Sequence, residues 1–142
     1  MILYAESSAV LAWLLGESRG MAVRDALADA ELVLASDLTA LECHRVLTRA
    51  LAMDRLSEAD TSTLRARLAR TAAHWVSLRV DEEALERARR PFPAEPVRTL
   101  DALHLGTALA ARTAVPDVRL LSLDDRVRRN GAELGFELVP ER

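Results

Sequence analysis

Short apolar runs, each followed within a few residues by a capping residue and a helix-forming stretch, recur along the whole chain, and this alternation limits the fold more than any other feature. Ile2 to Ala5 reads as a strand, with Ser7 and Ser8 as cap candidates for an apolar helix from Ala9 to Leu15 that stops at Gly16. Leu32 to Ala35 is a second strand, after which Ser36 caps a helix from Asp37 to about Met53 whose inward positions read as Leu38, Leu41, Val46, Leu47 and Leu51. Ser57-Glu58-Ala59-Asp60 has the form of a capping box and opens a helix to about Ala73. Trp75 to Val80 is strand-like, and Asp81 begins a helix through Arg90. Pro91, Pro93 and Pro96 then exclude regular structure. Thr99 or Leu100 starts a helix to Thr113, Arg119 to Leu123 is a strand, Asp124 to Leu134 a helix closed by Gly135, and Phe136 to Val139 a last strand. Strands alternating with helices at these lengths predict an α/β fold, a three-layer α/β/α sandwich on a parallel sheet of about five strands.

With 142 residues the chain suits one domain, 1–142, since domains average roughly 150 residues. Half the residues are hydrophobic, enough for a core without staples, and the single cysteine, Cys43, rules out an internal disulfide. The longest apolar run, Ala9 to Leu15, falls well short of the ~20 residues that span a bilayer, and Glu6 interrupts any secretory hydrophobic region. A cytoplasmic, membrane-free setting is expected. Net charge is -3, which argues against wholesale electrostatic capture of nucleic acid. All 19 basic residues are arginine, so chemistry that needs a lysine amine is excluded, whereas planar donors for phosphate are plentiful.

Ligands in open parallel sheets bind beyond the carboxyl ends of the strands, beside the point where strand order reverses. Glu6 follows the first strand, Asp124 the fourth, Asp101 falls in the first turn of the helix after the proline loop, and Glu42 in the second turn of the helix after strand two. A strand order of 3-2-1-4-5 would bring these four acids to one edge. Singly, Glu6, Asp101 and Asp124 are each explained by the helix dipole, which favours acids at helix amino termini. Together they need more, because two carboxylates about 5 Å apart repel by roughly 3 kcal/mol at an effective dielectric of 20. A hard divalent cation such as Mg²⁺ or Mn²⁺ would neutralise them.

Glu42, Arg45 and Arg49 share one helical stripe, which suits either a metal end beside a phosphate-binding end or a plain Glu42–Arg45 ion pair. Arg87, Arg89 and Arg90, and Arg126, Arg128 and Arg129, read as solvated faces. Cys43, His44, His74 and His104 match no zinc spacing, and His104 reads as an ordinary helix residue. No phosphate-binding loop, dinucleotide fingerprint or hydrolase elbow is present. Ser122 adds a hydroxyl to the acidic edge, while Trp13 reads as core or a dimer face.

Four segments, MILYAESSAVLAWLL, ASDLTALECHRVL, RTLDALHLGTAL and RLLSLDDRVRRNGAELGFEL, resemble in order and nearly end to end the PIN-domain family, most closely the VapC-type toxins of toxin-antitoxin pairs. The resemblance implies a ribonuclease dependent on Mg²⁺ or Mn²⁺, homodimeric and silenced by a cognate antitoxin. Carried over, the catalytic acids are Glu6, Glu42, Asp101 and Asp124, with Glu6, Asp101 and Asp124 holding the ion. Ser7, Ser122, Arg45, Arg49 and Arg98 are expected to face the RNA. Glu6 departs from the family's usual aspartate by one C–C bond of about 1.5 Å, which admits a second function: a degraded PIN domain that only binds antitoxin or dimerises. A phospho-accepting receiver domain shares the alternation but needs a lysine that is missing, and an aspartyl phosphatase would need aspartate at position 6.

Overall fold

A computed structural model describes all 142 residues, Met1–Arg142. The elements run β1 (Ile2–Ala5), α1 (Ser7–Leu14), α2 (Gly20–Asp29), β2 (Leu32–Ser36), α3 (Asp37–Ala52), α4 (Glu58–Ala72), β3 (Val76–Leu78), α5 (Glu82–Arg89), α6 (Thr99–Ala114), β4 (Val118–Leu121), α7 (Asp125–Glu133) and β5 (Leu138–Val139). The strands form one parallel sheet in the order β3-β2-β1-β4-β5, as the alternation predicts.

Side chains alternate across the sheet, and each face builds its own core. Leu3, Ala5, Val33 and Leu121 point to one side, where Val10, Leu14, Val23, Cys43 and Leu68 bring α1 to α4 against them. Tyr4, Leu34, Val118 and Leu120 point to the other, against Leu105 and Ala108 of α6, Val127 of α7, Phe92 and Phe136. Central β1 is covered on both faces, which is why Leu3, Tyr4 and Ala5 form an unbroken apolar run with no accessible surface.

Several local expectations change. Helix α2 has no strong sequence signal: its N-cap residue, Arg19, makes no side-chain cap, and only Gly20, Val23 and Ala26 are buried. On α3 the buried positions are Thr39, Cys43 and Leu47, whereas Leu41 is 55% exposed and Val46 also faces solvent. Thr39 explains the rotation. Its hydroxyl donates to Ala5 O at 2.9 Å, a buried bond that turns a small, semi-polar face of α3 toward the carboxyl end of β1. Strand β3 is shorter than Trp75 to Val80, and Phe136, expected in the last strand, plugs the core before β5 begins. Ser36, Ser57 and Asp81 cap α3, α4 and α5 as their spacing predicts, and Gly135 ends α7 at a φ of 90°.

The proline segment is pinned. Glu95 accepts from Phe92 N and Val97 N, and Asn130 of α7 pairs with both backbone groups of Ala94. This fixes where α6 begins, and α5 braces it from outside through a close approach at Gly106. A Cβ there would stand 2.6 Å from Ala84 O and 3.1 Å from Ala88 N. Gly106→Ala should therefore destabilise the protein, because overpacking of about 1–3 kcal/mol exceeds the roughly 1 kcal/mol of added helix propensity. A lower urea midpoint at unchanged m-value would show it.

Candidate active site at the carboxyl edge of the sheet

Backbone order brings β1 and β4 side by side, with Glu6 N donating to Leu121 O, so that Glu6 and the Ser122–Asp124 turn leave the sheet together. The Glu6 side chain is only 3% exposed and accepts four hydrogen bonds. Its Oε1 takes Ser7 Oγ at 2.9 Å and Ser8 N at 3.1 Å; its Oε2 takes Ser122 Oγ at 2.8 Å and Ser8 Oγ. A carboxylate has about four lone-pair sites, so these bonds saturate it. Glu6, rather than Ser7 or Ser8, is thus the N-cap of α1.

Ser8, by sequence only a cap candidate, joins the two halves of the edge. Its hydroxyl donates to Glu6 and accepts from Leu123 N at 3.0 Å and Asp124 N at 3.1 Å. Asp124 is the N-cap of α7, its Oδ1 taking Arg126 N and Val127 N, which leaves Oδ2 without a protein donor. Arg128 is buried, not solvated: it is 4% exposed, donates from Nη1 to Ser122 O at 2.8 Å, and its Nε has no partner.

Asp101, half-buried at the start of α6, is pushed above the ordinary carboxylate range first by burial, then by the charges of Asp124 and Glu6, and also by Glu42; His104 acts in the opposite direction. No hydrogen bond offsets these effects. The four sequence-predicted acids are therefore close enough to feel one another. They do not stand as a ready-made cage, since no three His, Cys, Asp or Glu side chains are grouped to hold an ion. The main clefts are lined by other residues; the one formed by Met1, Glu31, Arg112, Asp117 and neighbours lies at the amino ends of β1 and β4, the opposite edge.

Over residues 3–133 the sequence matches the PIN domain family. The chain belongs to that family. It is 33% identical over 137 residues to Ribonuclease VapC46 of Mycobacterium tuberculosis, covering 96% of this chain and 95% of that one. The crystal structure of Mycobacterium tuberculosis VapC20, described as a toxin that cleaves the sarcin-ricin loop, superposes with a TM-score of 0.64 at 15% identity, over 96% of both chains. That likeness concerns the fold, and the VapC-type resemblance read from the four segments stands.

In this PIN domain Glu42 does not pair with Arg45. Its Oε1 lies 2.5 Å from Nε2 of His104, a buried residue that by sequence reads as an ordinary helical one. Arg45 and Arg49 are exposed and share a shallow cleft with Val46, Thr48 and Ala52, beside which Arg65 of α4 donates to Thr48. Arg98, also exposed, stands at the N-cap position of α6 without a side-chain cap bond. Arg87, Arg89 and Arg90 pair with Glu83 and Glu86 on the surface, as expected.

Asp101 supplies a signed prediction. A folded-state pKa above the unfolded value means that the metal-free protein loses stability as pH rises from the ordinary carboxylate range through the raised value. Asp101→Asn should raise the Tm in EDTA at pH 7, and the gain should shrink as pH falls. Thermal melts of both proteins across pH 5 to 8 measure this.

Proposed function

We propose that this PIN domain is a VapC-type endoribonuclease toxin that hydrolyses RNA phosphodiester bonds with Mg²⁺ or Mn²⁺. The observation that carries the reading is the acid cluster itself. Glu6, Glu42 and Asp124 each add to the cost of a charge on Asp101, and none of Glu6, Asp101 and Asp124 has an ion-pair partner. Its setting is a chain 33% identical to a ribonuclease along 96% of its length.

The donor set suits a hard cation. All the donors are carboxylate oxygens, those of Asp101 and Asp124 Oδ2 have no protein donors, and Mg²⁺ commonly needs only one or two direct carboxylates plus substrate phosphate. Asp101 and Asp124 would hold it. Glu6 would join them by releasing one of its four hydrogen bonds, and otherwise acts by fixing Ser8 and Ser122. When bound, the ion supplies a Lewis acid that offsets charge developing on the phosphate. Glu42 would orient the attacking water or a second ion. Ser7, Ser122, Arg45, Arg49 and Arg98 meet the RNA, the arginines through backbone phosphates, which gives affinity without sequence choice.

The partners we propose are the RNA substrate, a second copy of the chain and a cognate antitoxin, in the cytoplasm. Exposed Leu15, Leu41, Val46 and Met53 supply apolar surface for such contacts, and no helix is long and apolar enough to cross a membrane. The saturated Glu6 carboxylate favours a second reading, a degraded domain that binds antitoxin without cleaving.

Purified protein should cleave RNA in Mg²⁺ or Mn²⁺ and stop in EDTA. Asp101→Asn should abolish cleavage while remaining folded, and Mn²⁺ should raise the Tm of the parent but not of this variant. Full activity in Asp101→Asn contradicts the mechanism, and no calorimetric Mn²⁺ binding leaves the binding role alone. Arg45→Ala with Arg49→Ala should weaken affinity for every RNA alike and lower the salt slope by about 0.7 for each phosphate left without its arginine, read from binding isotherms at several salt concentrations.

A further inference from the structure

His104 lies one turn beyond Asp101 on α6 and is 1% exposed. Both of its ring nitrogens are engaged, Nε2 with Glu42 Oε1 at 2.5 Å and Nδ1 with Tyr4 Oη at 3.0 Å. The Tyr4 ring stands edge-on to it at 72°, with centroids 6.2 Å apart. The imidazole therefore has no nitrogen left for an ion or a substrate, and direct participation is excluded while this geometry holds.

The proton positions follow from the partners. A carboxylate only accepts, so Nε2 carries hydrogen. Tyr4 is wholly buried and a phenol ordinarily keeps its proton up to about pH 10, and since a neutral ring with hydrogen on Nε2 has only an acceptor at Nδ1, the hydroxyl donates there. A chain of donation runs from Tyr4 on β1 through His104 on α6 to Glu42 on α3, tying three elements to one carboxylate oxygen. Glu42 Oε2 has no protein donor.

We propose that His104 is a positioning residue: held by Tyr4 as the Nε2–H tautomer, it locks Oε1 of Glu42 and so keeps Oε2 at the acid cluster. Glu42 needs such a lock. Its side chain is 25% exposed, its neighbours are anions, and no other group in the protein pairs with it. Released, it would turn to solvent. A histidine donating to a catalytic carboxylate is the outer-shell device that orients ligands at metal sites, and its loss typically costs 10–100-fold in affinity or activity.

The proposal rests on the nuclease reading for its kinetic consequence but not for its geometry, so two arms separate them. In metal-free full-length protein at pH 8, long-range ¹H–¹⁵N spectra should show His104 as one neutral tautomer with hydrogen on Nε2, and Tyr4→Phe should shift Nδ1. Hydrogen on Nδ1, or a rapidly averaging ring, overturns the proposal whether or not RNA is cut. In cleavage assays, His104→Leu should lower kcat about 10–100-fold with KM unchanged, His104→Gln, which retains an N–H donor, should recover part of the loss, and His104→Leu should add nothing in a Glu42→Gln background. Equal losses in both backgrounds would make His104 a packing residue only. A parent protein that cuts no RNA would refute the nuclease reading and leave the spectra to decide the geometry.

Discussion

The Glu6 carboxylate is the interaction on which the edge depends. Two strands distant in sequence end next to each other, and the turn after β4 would be held to β1 only by backbone ladder bonds if Glu6, Ser8 and Ser122 did not bridge them. A charge 3% exposed is tolerable because four donors surround it and because it sits at the amino end of α1, where the helix dipole favours an anion. The carboxylate collects donors from Ser7 and Ser8 of its own helix and from Ser122 in the turn after β4 at once.

Around that fixed point the acids divide by how firmly they are held. Glu6 is saturated, Asp124 is held by one oxygen in a helix cap, and Glu42 is held by one oxygen against His104. Asp101 alone has no donor to offset the burial and the neighbouring charges that shift its protonation upward. Asp124 and Glu42 thus each keep one oxygen free of protein donors along this carboxyl rim of the sheet, beside Asp101. Uncompensated charge destabilises such a rim in the absence of a cation, a local cost of the kind tolerated at functional sites.

The sheet was legible from sequence because a central parallel strand covered on both faces must be an unbroken apolar run, and Leu3-Tyr4-Ala5 and Leu120-Leu121 are just that. That Glu6, Asp101 and Asp124 share an edge was legible because each follows a strand or opens a helix, where topology decides the edge, whereas Glu42 in the second turn of α3 reaches it only through the rotation of that helix. Less legible was anything that depends on helix rotation. Leu38, Leu41 and Val46 form as good an apolar stripe as Thr39, Cys43 and Leu47, and only the long-range bond from Thr39 to Ala5 O selects between them. The same rotation turns Glu42 away from Arg45 toward His104, a residue 62 positions away that no spacing rule could pair with it. The roles of Ser8 and Arg128 are hidden for a similar reason, since their partners lie in the turn that follows β4.

The central claim is that this edge is a divalent-cation site served by Asp101 and Asp124. Anomalous scattering from crystals grown with Mn²⁺ tests it most directly. The account predicts one strong peak in coordination contact with both aspartates, with Glu42 still against His104. A map with no peak at the carboxyl edge, or with manganese bound only elsewhere, would contradict it.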